Sequence, residues 1–322
     1  MSNFSQIQSD TEFNSRAIEL FHKQKDACEI YNQYLRLIRQ YEKPIQHWSE
    51  IPFLPIEFFK SHRVATGDFE EQAIFTSSGT TGQTTSKHYV KDLSIYEESF
   101  LKGFEYFYGK PEEWTVLALL PSYLERSGSS LVYMTDHLIN RSHSEDSGFF
   151  LHNHQDLFKV LDRMRDSKQK ILLIGVTFAL LDFAEKFVLR MPDLVVMETG
   201  GMKGRREEMT RDEVHTELKK CFDVNAIHSE YGMTELLSQA YSKGNGIFEC
   251  PPWMRVAARE VTDPFNVRSF GSGALNVIDL ANEDSCAFIA TQDLCKIQPD
   301  GRFEVMGRYD HAEVRGCNLM VI

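Results

Sequence analysis

Ser77-Ser78-Gly79-Thr80-Thr81-Gly82-Gln83-Thr84-Thr85-Ser86-Lys87 is a run of glycine and hydroxyl residues that ends on a lysine. Glycine permits positive φ and close approach of the backbone, so the N–H groups and hydroxyls of such a run can surround a polyphosphate. Lys87 would add a compact positive charge. The spacing differs from the phosphate loop of kinases and GTPases, where four residues separate the first glycine from Gly-Lys-Ser/Thr. The alternative is a flexible surface loop, the usual setting of such residues.

A second segment, Tyr231-Gly232-Met233-Thr234-Glu235, lies far downstream. Its tyrosine offers an aromatic face for a base, its threonine a hydroxyl for a phosphate, and its glutamate a carboxylate for Mg²⁺. Taken alone, the same residues would fit a buried tyrosine followed by the start of a helix, because threonine and glutamate favour the first helical turn. Together with the first segment they indicate an ATP site.

The two segments in this order resemble the adenylate-forming superfamily, which includes acyl-CoA synthetases, peptide-synthetase adenylation domains and luciferases. Thr291-Gln292-Asp293 resembles the Thr-Gly-Asp ribose motif of that superfamily, with Gln in place of Gly, and Gly307-Arg308-Tyr309-Asp310 resembles its Gly-Arg-x-Asp hinge. The resemblance implies an α/β fold, namely the large N-terminal domain of these enzymes with helix-flanked sheets and a small β-rich subdomain.

A narrower resemblance is to the LuxE-type acyl-protein synthetases, the long-chain fatty acid–protein ligases of the bacterial luminescence fatty-acid reductase. It rests on Ile51-Pro52-Phe53-Leu54-Pro55-Ile56-Glu57-Phe58-Phe59-Lys60, on the long spacing from Gly82 to Ser86-Lys87-His88, and on Arg315-Gly316-Cys317-Asn318-Leu319. This second resemblance implies that the activated acyl group is transferred to a protein.

The resemblance implies a two-step reaction. A carboxylate attacks the α-phosphate of ATP, which gives an acyl-adenylate and pyrophosphate, and a nucleophile then displaces AMP. The loop from Ser77 to Gly82, with Lys87, would hold the departing phosphates. Thr234 would contact the α-phosphate, and Glu235 would hold Mg²⁺.

The nucleoside would lie between two glycine-containing segments. Tyr231 would lie on one side of the adenine, and the adjacent Gly232 would also contact the nucleotide. The backbone at Gly200 and Gly201 would lie on the other, since glycine allows close approach to a flat ring. Asp293 would accept hydrogen bonds from the ribose hydroxyls, although an aspartate in this position also fits an exposed turn.

Further roles follow from order along the chain. The resemblance implies that Arg308 meets a phosphate or ribose oxygen and that Asp310 is the pivot between two domain orientations. Either could instead belong to a surface ion pair worth about 1 kcal/mol at most. Tyr123 and Phe178 fall in regions that line the acyl pocket of the superfamily, but aromatic residues there are also typical of an ordinary core.

Cys317 is the candidate acyl acceptor, because a cysteine close to the C-terminus carries the acyl group as a thioester in the resembled family. A free thiol has a pKa of about 8.5, which a neighbouring arginine such as Arg315 can lower. The alternative is a small buried residue in a final strand.

We expect an adenylating core over residues 1–306, in which residues 60–250 form the α/β sheets with the ATP site and residues 257–306 form a β-rich subdomain. Residues 307–322 would be the hinge and a short remnant. On this reading the mobile C-terminal domain, which supplies a catalytic lysine in the superfamily, is absent or truncated. Lys87 and Arg308 are then the candidate cations in its place.

Apolar runs alternate with amphipathic stretches along much of the chain, which favours sheets that carry helices and ligands near the carboxyl ends of the strands. Helices are predicted at 16–40 (one or two), 95–107, 178–189 and 210–221. Strands are predicted at 114–120, 171–176, 194–197, 224–227, 277–280, 286–290, 294–298 and 302–306.

Composition narrows the function classes. The chain has 322 residues, of which 42% are hydrophobic, enough for a substantial core. Its net charge of −12 argues against binding to nucleic acid or anionic membranes. The beginning of the chain lacks the apolar core of a secretory signal, and no apolar run reaches the length of a membrane span. We therefore expect a cytoplasmic protein with no integral membrane segment, in which the cysteines are free thiols.

These observations favour an AMP-forming acid–thiol ligase that uses ATP and Mg²⁺ and transfers a fatty acyl group to a cysteine of its own chain or of a partner. The partner would be an acyl-CoA reductase or another acyl-accepting protein. Two alternatives stay open. One is a CoA ligase for a small aliphatic or aromatic acid, and the other is a non-catalytic nucleotide-binding subunit of an acyl-processing complex.

Overall fold

The structure is a computed structural model, and it describes residues 3–78, 84–121, 126, 128–200 and 209–309. Short 3₁₀ helices lie at Asn3–Gln6, Trp48–Glu50 and Pro111–Glu113. The α-helices of this part of the chain are α1 (Asp10–Ala27), α2 (Glu29–Leu37), α3 (Phe58–Ser61), α4 (Leu93–Tyr108), α5 (Ser130–Arg141), α6 (His154–Met164), α7 (Thr177–Ala184) and α8 (Arg211–Phe222).

The strands form one large sheet and one separate hairpin. The large sheet has 13 strands in the order β12-β11-β13-β14-β15-β10-β9-β8-β7-β6-β4-β5, with β1 added beside β14, and β2 pairs only with β3. The strands are β1 (Leu54–Pro55), β2 (Ala73–Thr76), β3 (Lys87–Val90), β4 (Trp114–Leu119), β5 (Gly148–Phe149), β6 (Lys170–Val176), β7 (Val195–Thr199), β8 (His228–Tyr231), β9 (Ala240–Ser242), β10 (Ile247–Glu249), β11 (Met254–Arg259), β12 (Val267–Arg268), β13 (Gly271–Asp279), β14 (Phe288–Ile297) and β15 (Phe303–Arg308).

Strands β5, β4, β6, β7 and β8 are parallel, and helices connect them. Every residue of β4 is buried, as is β6 after its first residue. Parallel strands that are covered on both faces read as continuous apolar runs, which is why the sequence predicts these two strands closely. Their carboxyl ends lie along one edge of the sheet, where ligands of α/β proteins bind.

Strand β8 joins the two halves of the sheet, because it runs parallel to β7 and antiparallel to β9. The β-rich segment after residue 257 therefore continues the same large sheet. Residues 286–290 and 294–298, predicted as two strands, are largely one strand, β14, whose register shifts at Leu294. The predicted division of the chain at residue 306 stays a prediction.

The strand predicted at 224–227 is wrong by several residues, since the observed strand is His228–Tyr231. The reason is its polar sequence. Ser229 donates to Glu198 Oε1 at 3.0 Å, and Glu230 Oε2 accepts from Thr199 at 2.5 Å, so the neighbouring strand β7 satisfies both buried side chains. A search for hydrophobic patterns in the sequence does not detect a buried strand with polar side chains.

Local signals set the helix ends. The Ser9 hydroxyl accepts from the Glu12 N–H at the start of α1, and Thr210 with Glu213 forms a capping box at the start of α8. The predicted helix at 178–189 is shorter than expected and ends at Ala184. The predicted 16–40 stretch contains two helices, α1 and α2, packed against each other.

The N-terminal helices pack on the antiparallel half of the sheet. Phe21 of α1 and Tyr31 of α2 contact Phe288 of β14 with ring centroids 6.3 Å apart in both pairs. Gln24 is fully buried and bonds the turn between β13 and β14 at both ends of its amide, to Asn282 O and Ala287 N. The turn that follows β13 is thus held in place from the N-terminal layer.

No helix in the described part of the chain combines the length and the apolar character needed to cross a membrane.

Candidate functional site

The glycine- and hydroxyl-rich run connects the two strands of the β2–β3 hairpin. Thr76 pairs with Lys87 at the end of the hairpin. Beyond that pair, the Ser77 N–H donates to Ser86 O at 3.1 Å, and the Ser86 N–H donates to Ser77 Oγ at 2.9 Å. Ser77, Ser78 and Lys87 are therefore at the base of the loop, with the exposed Lys87 directly at its exit. Gly79, Thr80, Thr81 and Gly82 lie outside the described residues.

Asp293 connects three of the four motifs. The Tyr231 hydroxyl donates to Asp293 Oδ2 at 2.7 Å, and Arg308 Nε donates to Asp293 Oδ1 at 3.2 Å. Asp293 and Arg308 are direct neighbours across β14 and β15. The Asp293 side chain is 9% exposed and that of Arg308 is 73% exposed, so the arginine covers the carboxylate from the solvent side.

Tyr231 lies in an aromatic cluster. Its ring makes edge contacts with Phe248 and Phe303 at centroid distances of 6.0 and 5.8 Å. Burial, followed by the charge of Asp293, raises the pKa of the Tyr231 hydroxyl well above its usual value, so it stays a donor. The sequence does not indicate that this hydroxyl donates a hydrogen bond to Asp293.

Glu235 lies beside Ser86, just before strand β3, and is 5% exposed. Burial raises the pKa of its carboxyl, while a hydrogen bond with Ser86 and the charges of Arg308 and Lys60 act in the opposite direction. The buried carboxylate and the neighbouring hydroxyl are oxygen ligands of the kind that a divalent cation prefers.

The donor set around Glu235 fits Mg²⁺. A carboxylate and hydroxyls are hard oxygen ligands, and proteins commonly hold Mg²⁺ by one or two carboxylates plus the phosphates of a substrate. Within the described ranges, no group of three or more His, Cys, Asp or Glu side chains could hold a metal by itself. Glu235, with Thr234 beside it, would hold the ion together with phosphates.

Asp279 organises the chain directly after Glu235. Its fully buried carboxylate accepts from the N–H groups of Leu237 and Ser238 at 2.7 and 2.9 Å and from the Ser238 hydroxyl at 2.5 Å. The segment after Tyr231 forms neither helix nor strand up to β9, so its backbone groups need such partners. The sequence contains no signal that would link Asp279 to this segment.

Gly200 directly follows strand β7 and has a positive φ of 70°, a conformation that favours glycine. The Thr177 hydroxyl lies 2.6 Å from Gly200 O and 2.8 Å from Glu198 Oε2. Although burial opposes it, the nearby His215, whose Nε2 lies 3.6 Å from Glu198 Oε1, and hydrogen bonds from Thr177 and Ser229 hold the pKa of Glu198 below its usual value. A buried, ionised Glu198 therefore supports the backbone at Gly200. Gly201 lies outside the described residues.

Gly232 lies against the side-chain carboxyl group of Glu230. A Cβ at this position would overlap Oε1 of Glu230 and would touch Gln239. Burial, together with the charge of Glu198, raises the pKa of Glu230 to about 7, while the hydrogen bond from Thr199 opposes the shift. The glycine is thus required by the buried Glu230, a reason that the motif itself does not reveal.

Of the two residues predicted to line an acyl pocket, the structure describes Phe178. Phe178 is buried in the first turn of α7, and Gly175 near the end of β6 leaves the space that the side chains of Leu119 and Leu180 occupy. Tyr123 lies outside the described residues. The assignment of Phe178 to a pocket wall stays a prediction.

Asp310 and Cys317 also lie outside the described residues. The remaining cysteines are free thiols, as predicted, and burial raises the pKa of each, which keeps them protonated and unreactive. They are Cys28, Cys221, Cys250, Cys286 and Cys295.

The sequence profile of the acyl-protein synthetase LuxE family matches residues 2–322. The chain belongs to the LuxE acyl-protein synthetase family. This confirms the resemblance to which the motifs from Ser77 to Cys317 point. Comparison of this LuxE-family chain with curated proteins gives no match.

Solved structures of adenylate-forming enzymes share the fold. ATP-bound MatB from Rhodopseudomonas palustris is 18% identical with a TM-score of 0.54, over 73% of this chain and 48% of MatB. MenE from Bacillus subtilis, an O-succinylbenzoate coenzyme A synthetase in complex with AMP, is 16% identical with a TM-score of 0.51, over 73% of this chain and 49% of MenE. The amide bond synthetase McbA from Marinactinospora thermotolerans gives 16% and 0.51, over 73% of this chain and 48% of McbA.

The predicted fold class is confirmed by these matches: the chain has the α/β fold of the N-terminal domain of adenylate-forming enzymes. The chain spans about half the length of each of these structures.

Proposed function

We propose that this protein is an ATP-dependent acyl-activating ligase, which forms an acyl-adenylate from a carboxylic acid and passes the acyl group to a cysteine thiol. The observation that carries the proposal is the contact of Asp293 with both Tyr231 and Arg308. It brings the ribose-type motif, the Tyr-Gly-x-Thr-Glu motif and the Gly-Arg-x-Asp motif together at one point. Family membership supports the same reaction.

The first step needs positioning and charge stabilisation, because two anions must approach each other. An oxygen of the substrate carboxylate bonds to the α-phosphorus of ATP, the bond to the bridging oxygen breaks, and pyrophosphate leaves with that electron pair. Lys87 and the loop that begins at Ser77 would hold the departing phosphates. Thr234 would donate to the α-phosphate, and Glu235 would hold Mg²⁺, whose charge offsets that of the phosphates when it is bound.

The nucleoside would lie beside the Asp293 carboxylate. Oxygens of this group already accept from Tyr231 and Arg308, and a carboxylate retains further acceptor sites for ribose hydroxyls. The backbone at Gly200 and Gly232 would contact the adenine ring. The exposed Arg308 could reach a ribose or phosphate oxygen without leaving its strand.

The second step would use Cys317. Its thiolate attacks the carbonyl carbon of the adenylate, the bond to the phosphate oxygen breaks, AMP leaves, and the thiol proton goes to solvent. Tyr309 is anchored, because its N–H donates to Gln292 O at 3.0 Å and its hydroxyl accepts from Arg259 at 2.7 Å. At about 3.3–3.6 Å per residue, the short stretch from Tyr309 to Cys317 is long enough to return to Asp293.

The proposed acid is a long-chain fatty acid, and the proposed recipient of the acyl group is an acyl-CoA reductase or another acyl-accepting protein. The five free thiols suit a reducing compartment, so we place the protein in the cytoplasm. The acidic net charge supports neither nucleic acid nor an anionic membrane as a partner.

The test is carboxylate-dependent exchange of labelled pyrophosphate into ATP with a panel of aliphatic and aromatic acids, followed by intact-mass measurement of the protein. We expect exchange with fatty acids and an acyl adduct that Cys317→Ser abolishes. Turnover that requires CoA and survives Cys317→Ser would show the CoA ligase instead. ATP binding without exchange, unless a partner is added, would show a nucleotide-binding subunit.

A further inference from the structure

Two consecutive peptide carbonyls of the Tyr231–Glu235 motif are held by buried side chains from distant parts of the chain. His88 Nδ1 lies 2.9 Å from Thr234 O, and Asn282 Nδ2 donates to Glu235 O at 2.9 Å. His88 belongs to strand β3, whereas Asn282 lies outside every helix and strand. Because a buried carbonyl without a hydrogen-bond partner is energetically costly, the two contacts fix the orientation of these peptide planes.

The clamp formed by His88 and Asn282 is itself rigid, since each side chain is 1% exposed. The Asn282 amide also donates to Cys286 O at 3.1 Å, so its nitrogen faces two carbonyls and its oxygen faces the histidine ring. His88 Nε2 lies 3.2 Å from that oxygen. The orientation of the asparagine is therefore determined independently of His88.

Both ring nitrogens of His88 face acceptors, yet a neutral imidazole has one N–H to donate. Burial lowers the pKa of His88 to about 4, while the contacts with Thr234 and Asn282 oppose the shift, so the ring is neutral near pH 7. The nearer acceptor is Thr234 O, at 2.9 Å against 3.2 Å for the Asn282 oxygen. The proton thus belongs on Nδ1.

His88 directly follows Lys87 on strand β3, and the two side chains point to opposite faces, Lys87 to solvent and His88 to the interior. One residue of backbone and one hydrogen bond therefore connect the lysine at the exit of the phosphate loop to Thr234.

We propose that His88 is a positioning residue for acyl-adenylate formation, which holds the Thr234 carbonyl through Nδ1–H and so sets the spacing between the phosphate loop and the Thr234–Glu235 pair. The inference rests on the proposed function. Phosphoryl chemistry depends on placement, and a displacement of about 1 Å costs on the order of 100-fold in rate.

Two substitutions distinguish the contact of His88 with Thr234 from its contact with Asn282. The amide nitrogen of Asn occupies roughly the place of Nδ1, so His88→Asn keeps the donor to Thr234 O. The amide nitrogen of Gln reaches roughly the place of Nε2, so His88→Gln keeps only the arm toward Asn282. We expect kcat for pyrophosphate exchange to stay within about 3-fold of wild type in His88→Asn and to fall about 10- to 100-fold in His88→Gln.

The matched control is Thr115→Val, which removes a buried hydrogen bond to Ser144 at the opposite end of strand β4. We expect it to lower the melting temperature without changing kcat. If wild type shows no exchange with any acid, the proposed function fails. If wild type is active and His88→Gln matches it, or His88→Asn is as impaired as His88→Gln, the positioning role is refuted.

A measurement on wild type keeps the inference testable even where a variant folds poorly. The ¹⁵N shifts of labelled histidine distinguish the two neutral tautomers, and the signal lost in His88→Gln or His88→Asn assigns His88. We expect the Nδ1–H form. The Nε2–H form would mean that Thr234 O receives no hydrogen bond from the ring and would overturn the proposal without reference to activity.

Discussion

The carboxyl group of Glu230 lies against the α-carbon of Gly232, in the space that any side chain at residue 232 would occupy. Glu230 ends up there because it belongs to β8, whose parallel neighbour β7 supplies the Thr199 hydroxyl at 2.5 Å. The Tyr231–Glu235 motif is thus built around the buried carboxyl group of Glu230. This relationship gives two predictions.

Gly232→Ala should destabilise the fold by about 1–3 kcal/mol, the usual range for overpacking a filled interior. Urea unfolding measures the change. Gly103→Ala is the matched control. Gly103 lies in the middle of α4, where alanine is preferred over glycine, and a Cβ on it would lie at an ordinary distance of 4.0 Å from Trp253. A Gly232→Ala protein as stable as Gly103→Ala would contradict the packing that we describe.

The free energy of unfolding should fall as the pH rises from about 4.5 to about 7, because of Glu230. The pKa of this carboxyl is raised to about 7 in the folded protein from 4.5, mainly by burial, so over that interval the folded state keeps a proton that the unfolded state releases. At about 1.4 kcal/mol per pH unit, the loss amounts to about 3 kcal/mol.

Glu230→Gln is the comparison for this effect, since it removes the titration and keeps the shape. We expect the unfolding free energy of wild type minus that of Glu230→Gln, measured at intervals from pH 4.5 to 8, to decline steadily up to about pH 7. Above that pH the difference should become constant. Parallel curves for the two proteins would show that Glu230 is not the group responsible.

Asp293→Asn should lower kcat/KM for pyrophosphate exchange by about 100-fold, because it removes the charge that Arg308 and Tyr231 share and weakens the acceptor proposed for the ribose. Tyr231→Phe removes only one donor to the same carboxylate and keeps the ring, so a smaller loss of about 10-fold or less is expected. Equal losses in the two variants would indicate that the tyrosine hydroxyl has a role beyond holding Asp293.

Glu235→Ala should reduce exchange by about 100-fold or more and should raise the Mg²⁺ concentration needed for half-maximal rate. Glu112→Gln, an exposed carboxylate before strand β4 at the other end of the parallel strands, is the control and should behave as wild type. An unchanged Mg²⁺ dependence in Glu235→Ala would remove this residue from the metal site.

Much of the fold is readable from local patterns. Strands β4 and β6 are continuous apolar runs, and α4 begins where Asp92 caps it and ends at Gly109 with a positive φ of 83°. Such features depend on neighbours a few residues away. The local pattern places strand β8 several residues too early, because its polar residues are hydrogen-bonded across the sheet to β7, a partner far away in sequence.

The sequence by itself determined the family, the fold class and the set of motif residues, since the order and type of residues in the motifs from Ser77 to Arg308 carry that information. Only the tertiary structure decided how the motifs are held. It joined Tyr231, Asp293 and Arg308 through one carboxylate, and it placed His88 and Asn282 behind Thr234 and Glu235. The physical reason is that a buried polar group must find a partner in space, and in this protein the partner comes from a part of the chain far away in sequence.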